Sequence, residues 1–119
     1  MSLADKPKLY YEMYKFIKYL YMLIHNFPKE YKYSLGEEVI GSAWQCLDNI
    51  VFANKLPNSR KSQYILKASA DFERVVLRLR MANELKLFND KKMAYIITCE
   101  VAIEKMLSGW YKWAKAKIS

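Results

Sequence analysis

The 119-residue chain is 53% apolar and has only three glycines and three prolines, which supplies one core but too few turn residues for an all-β fold. Its formal charge of +8 implies an anionic partner, nucleic acid being the commonest, or else serves solubility alone. No apolar run of about eighteen residues is free of charge, and the opening MSLADKPK has no apolar signal core, so a soluble cytoplasmic protein with no membrane partner is expected.

The excess charge is uneven: residues 1–27 carry +2, residues 28–57 carry −1, residues 58–88 carry +4 and residues 89–119 carry +3. The basic half is the second half. Cys46 and Cys99 lack metal-ligand or CxxC spacing and fall at apolar helical positions, so both read as reduced, buried thiols.

A first helix is predicted over about 8–26. Leu9, Met13, Phe16, Leu20, Leu23 and Phe27 alternate steps of four and three, the spacing of a packed face. The next stripe, Tyr10, Tyr14, Ile17, Tyr21 and Ile24, is also apolar or aromatic, so one neighbour would not cover this helix. His25, the single histidine, has no partner motif and reads as a surface or helix-end residue.

The corner FPKEYKYSLGEE, Phe27 to Glu38, joins this helix to the next. Pro28 cannot continue the first helix. Ser34 and Glu37 have capping-box spacing, and Glu38 adds negative charge at the positive end of the following helix.

The second helix, about 35–54, carries Val39, Ala43, Cys46, Ile50 and Ala53 on its seam, flanked by Ile40 and Leu47, with Trp44 off it. Leu56-Pro57-Asn58-Ser59 ends it, and Asn58 or Ser59 is expected to cap the third. The third helix, about 60–86, has two apolar faces. Ile65, Ala68, Phe72, Val75, Leu79 and Ala82 form one; Leu66, Ala70, Leu77, Met81 and Phe88 form the other, with Glu73 and Glu84 between them. One face closes the bundle and the other implies a second chain or a partner peptide. The fourth helix, about 90–116, is expected to be capped by Asn89, with Asp90 in its first turn, and to pack through Ile96, Cys99, Ile103, Met106, Trp110 and Trp113. Lys112, Lys115 and Lys117 suit its C-terminus. The expected architecture is one all-α domain over 1–119, an up-down-up-down antiparallel four-helix bundle that self-associates.

No phosphate loop, Ser/His/Asp set, Cys/His pair or metal spacing is present, and a lone histidine removes most nucleophilic and general-base schemes. Neither catalytic residue, metal nor cofactor is expected. Glu37/Glu38 and Glu100/Glu104 read as cap and solvated-face residues. All four arginines, Arg60, Arg74, Arg78 and Arg80, fall on the third helix, where Lys67, Arg74 and Arg78 share a stripe about 100° from the core seam, partly neutralised by Asp71. Guanidinium suits phosphate, and tyrosines could stack on bases, although both residue types also form ordinary faces.

Assembled, these stretches resemble the accessory variability determinant (Avd) family, partners of the reverse transcriptase in diversity-generating retroelements. In the corner, Phe27, Pro28, Lys29, Lys32, Ser34, Leu35 and Gly36 match a family motif. In FERVVLRLRMANELKLF the matches are Glu73, Arg74, Arg80, Ala82 and Leu85. Near the end, EKMLSGWYKW is similar to a Gly-Gly-Trp before a basic tail, with Ser108 in place of the first glycine. Lysine stands where arginine is frequent in the corner, and Arg78 takes a position often apolar. The likeness covers roughly Tyr11 to Lys115.

The resemblance implies a homopentameric barrel without catalytic activity, whose basic surface associates with reverse transcriptase and with RNA or DNA. Arg74, Arg80, Lys29 and Lys32, with Arg78 and Lys67, would hold phosphates or an acidic enzyme surface, while Leu66, Ala70, Leu77, Met81 and Phe88 would contact another copy. A related four-helix protein encoded in intervening sequences of 23S ribosomal RNA genes shares the corner. Its second helix carries Asn-Ile-Ala-Glu-Gly, of which LDNIVFANK keeps only Asn49-Ile50. A structural self-associating bundle is the remaining alternative.

Overall fold

The computed structural model describes residues 7–117, which form α1 (Lys8–His25), α2 (Lys29–Lys32), α3 (Leu35–Lys55), α4 (Asn58–Glu84) and α5 (Asp90–Ala116). Among the described residues there is no strand, and no helix is long and apolar enough to cross a membrane.

Each of the three prolines stands immediately before a helix. Pro7, Pro28 and Pro57 precede α1, α2 and α4 with φ of −51°, −53° and −64° and ψ of 145–155°, the extended geometry their rings prefer. In that place a missing N–H costs nothing, because the donor is needed only further in. Neither Asn58 nor Ser59 therefore caps α4: the link from α3 is so short that the helix starts at Asn58, directly after Pro57.

The corner also differs from a plain turn. Its chain makes one helical turn, α2, and the Ser34 hydroxyl donates to the Glu30 carbonyl at 2.6 Å, so Ser34 makes no side-chain cap to α3 and the expected capping box does not form. The carbonyls at the end of α2 compete for that hydroxyl and win. Gly36 is there for space: a Cβ would sit 2.7 Å from Ile24 Cγ2 and 3.3 Å from the Tyr31 carbonyl oxygen. This close approach lets α3 leave the corner against α1.

Lys61 is buried, and its ammonium donates to the carbonyls of Ala53 and Asn54 at 3.0 Å each. It thus closes the C-terminus of α3 from the first turn of α4, where carbonyls lack partners and the dipole favours a cation. The link after α4 is a Schellman turn: Leu87 N–H donates to Ala82 O at 3.0 Å and Lys86 N–H to Asn83 O at 2.9 Å, with Lys86 at φ +60°. Asn89 then caps α5 by accepting from the Lys92 N–H at 2.9 Å, and Asp90 lies in its first turn.

The long helices pack in the cyclic order α1, α3, α4, α5, with α1 closing against α5. Their seams fill the middle. The first-stripe residues of α1, the five seam residues of α3 and the six of α4 are all buried, and Phe16 meets Phe72 across the centre with ring centroids 6.0 Å apart. Along the second stripe of α1 burial alternates: Tyr10, Ile17 and Ile24 are buried, whereas Tyr14 and Tyr21 are exposed.

The α5 seam is shifted. Met93, Ile96, Glu100, Ile103, Leu107 and Ala114 are buried, while Cys99, Met106 and Trp110 are only partly so and Trp113 is exposed. Glu100, expected on a solvated face, therefore occupies a core position at 6% exposure.

Candidate functional site

The third-helix arginines are distributed around α4, and the structure does not bring them together. Arg74 and Arg80 lie six residues apart, hence about 120° apart around the axis. Arg74 and Arg78 point toward α3. Arg74 Nη1 donates to Asp71 Oδ1 at 2.8 Å, and the other oxygen of this buried carboxylate accepts from Asn49 Nδ2 at 2.7 Å. Arg78 donates to Glu38 Oε1 at 3.0 Å and to the Arg74 carbonyl at 3.3 Å. Glu38, read as a dipole partner, is thus also a cross-helix anchor. Lys67 stands over the Tyr64 ring, 4.4 Å from its centroid. Lys29 and Lys32 sit apart from this edge, on α2, with Lys32 5.9 Å from the Tyr33 centroid.

Arg80 lies on the other side, in a groove between α4 and α5 that is lined also by Glu73 and Glu104. Glu100 adjoins this groove electrostatically. Burial pushes its carboxyl up to about 7; the Glu104 charge adds to the rise and Arg80 opposes it. Its Oε1 is buried without a hydrogen-bond partner. A glutamate in an apolar seam gives no distinguishing sequence signal, since neighbouring stripes offer better apolar matches.

Between the two arginine-bearing edges of α4 runs the second apolar face. Leu66, Leu77 and Met81 are 50–56% exposed, and Ala70 is exposed with them. Phe88 is not part of this face. It lies past the end of α4 and stacks on Phe27, centroids 6.3 Å apart, inside the same chain, because the turn at Lys86 redirects the backbone. The face instead continues onto α5 through Ile97 and Val101, exposed at 47% and 60%. They stand seven residues before Glu104 and Ser108, which line the α4/α5 groove, and therefore share that side of α5. Their i, i+4 spacing off the core seam was the available signal.

A second exposed apolar region lies across the bundle, on α1 and α3. Tyr14, Tyr21 and Trp44 are each 37–51% exposed, and Trp44 Nε1 donates to the Tyr21 hydroxyl at 2.9 Å.

Reactive groups are few. Burial drives the Cys46 thiol up to about 12, with the Asp71 charge adding to the rise, which leaves it protonated and inert at neutral pH. Burial also raises Cys99, against an opposing contact with Tyr95. Among the described residues no group of His, Cys, Asp and Glu is arranged to hold a metal ion.

No curated protein and no solved structure matches the chain. A family profile described as bAvd-like matches residues 8–114, from the first residue of α1 to near the end of α5. Since that match takes in nearly the whole chain and all four long helices, the chain belongs to the bAvd-like family.

Proposed function

We propose that this chain is the non-catalytic accessory protein of a diversity-generating retroelement, a one-domain, up-down-up-down bundle that assembles as a homopentameric ring and binds reverse transcriptase and RNA or DNA. Family membership across residues 8–114 carries the reading. Polymerisation then belongs to the partner enzyme, in the cytoplasm, and this chain supplies a scaffold without a cofactor.

The two exposed apolar regions support the ring. They differ in composition and lie on opposite sides of the bundle, so a contact between unlike faces repeats from copy to copy and closes if the rotation allows. Leu66, Ala70, Leu77, Met81, Ile97 and Val101 of one copy would cover Tyr14, Tyr21 and Trp44 of the next. For polyanion binding we assign Arg74, Arg78 and Lys67 along the α3 side of α4, Arg80 at the α5 side, and Lys29 and Lys32 on α2. Asp71 and Glu38 orient the first two guanidinium groups while leaving other N–H donors of each fork for phosphate.

Light scattering at low and high salt tests the assembly. A mass near five times 14.1 kDa, about 70 kDa and insensitive to salt, is expected for an apolar interface, and Leu77→Glu with Val101→Glu should give a folded monomer. A monomeric wild type would remove the ring. Capture of a retroelement reverse transcriptase, lost in Arg74→Glu with Arg80→Glu while the mass is unchanged, is the expected binding result. Unchanged capture and unchanged RNA affinity would overturn the site assignment.

A further inference from the structure

Two surface cavities share Tyr95 along the groove between α1 and α5, and a third opens beyond them toward the start of α1, where α3 also lines it. The first is lined by Tyr19, Asn89, Lys91, Lys92 and Tyr95. The next shares Tyr95 and adds Glu12, Lys15 and Cys99. The third, of 470 Å³, is bounded by Lys8, Tyr10, Asn54, Lys105 and Trp110. From Lys92 to Met106 the cavities follow α5 for about 21 Å, fourteen steps at about 1.5 Å each.

Its charge is one-sided. Five lysines line the three cavities against one glutamate, and that glutamate, Glu12, is matched by Lys15 at 3.1 Å. The α4/α5 groove, by contrast, sets Arg80 against Glu73 and Glu104, so of these two grooves the α1/α5 groove has the surplus positive charge.

Its aromatics face outward. Tyr95 is 51% exposed and leans on Tyr19 with centroids 4.8 Å apart and planes at 56°, which fixes its ring. Trp110, partly exposed, stands at the far cavity. Rings set between lysines are what unpaired bases and their phosphates need together, since every base has a face to stack. A duplex keeps its base faces inside and would use only the charge.

Resting on the nucleic-acid reading above, we propose that the α1/α5 groove is a track for a single nucleic-acid strand, with Tyr95 and Trp110 stacking on bases and Lys91, Lys92 and Lys105 holding phosphates. This is a surface separate from the α4 arginines.

Fluorescence anisotropy of the full chain with a labelled oligo(U) of about twelve nucleotides, and with a duplex of equal length, tests it. Single-strand binding should be the tighter. Tyr95→Ala should weaken it about fivefold to a hundredfold, and Tyr95→Phe should restore it. Lys91→Ser with Lys92→Ser should make the log–log salt slope shallower by about 1.4, two phosphates at 0.7 each. If wild type binds oligo(U) and neither the Tyr95 nor the lysine variants change it, the track is wrong while the nucleic-acid reading stands. If wild type binds no nucleic acid, both fall. Duplex binding as tight as single-strand binding also overturns the track, as does loss of reverse-transcriptase capture in the lysine variant with oligo(U) binding intact, which would assign the groove to an acidic protein.

Discussion

Glu100→Gln isolates the cost of placing a carboxyl in the core of α5. The wild-type group titrates from 4.5 when unperturbed up to about 7 in the folded chain. The folded protein thus holds this proton more tightly than the unfolded chain. Stability from this group is complete below pH 4.5, where both states carry the proton, and is lost as pH rises through 7 and the buried group must ionise. At about 1.36 kcal/mol per pH unit, the shift from 4.5 to about 7 gives about 3 kcal/mol for a sealed site, which water in the adjoining groove screens to about 2 kcal/mol. Glutamine keeps the shape and cannot ionise. Urea unfolding of both proteins at about pH 5, 7 and 9, at one fixed protomer concentration, reads the difference directly. The variant should gain about 1 kcal/mol on wild type from the lowest to the highest pH, most of it between 5 and 8, because the unfolded carboxyl is already largely ionised at about pH 5 and the rest of the difference is present there. Parallel stability profiles would refute the argument, because they would mean that Glu100 meets water in the folded state.

Three further substitutions test the joints. Gly36→Ala adds helix propensity, yet its methyl meets Ile24 Cγ2 at 2.7 Å, so a net loss of about 1–2 kcal/mol is expected in denaturant titrations; a gain would show that α1 and α3 can part. Lys86 holds φ +60° at the Schellman position where glycine is usual, so Lys86→Gly should raise the melting temperature by about 4 °C, with a fall arguing against the left-handed turn. Lys61→Met leaves the Ala53 and Asn54 carbonyls without the ammonium that reaches both at 3.0 Å, and should cost about 2 kcal/mol in unfolding free energy. Unchanged stability would show that water closes the end of α3 equally well.

The seams of α1, α3 and α4 were legible because their apolar residues repeat at threes and fours without interruption, and burial follows that repeat. In α5 the same rule selected Cys99, Met106 and Trp113, one position away from the true line. Ile96 and Ile103 belong to both lines, but the buried one passes through Glu100, and a search for apolar residues steps around a carboxylate. Lys61 escaped for the same reason, since its burial is justified only by carbonyls that another helix brings to it. The four-residue α2 has no periodicity to find. The separation of Arg74 from Arg80, by contrast, was present in their spacing: six residues cannot share a face at 100° each. Phe88 was placed on the α4 face by extending the helical count through Lys86, where the chain leaves the helix.

Four helices packed in the order α1, α3, α4, α5 leave four grooves, and these are chemically unlike. The α4/α5 and α1/α3 sides, opposite each other, carry the exposed Leu66, Leu77, Met81, Ile97 and Val101 and the exposed Tyr14, Tyr21 and Trp44 respectively. The α3/α4 groove carries the ordered pairs of Arg74 with Asp71 and Arg78 with Glu38. The α1/α5 groove carries lysines with little acidic opposition. In the proposed ring the two apolar sides are consumed by neighbours, so the two charged sides must become its inner and outer walls. Strand and enzyme then need not compete for one surface: the wall with surplus lysine and open rings suits a flexible strand, and the wall with guanidinium groups already held in place suits a partner of fixed shape.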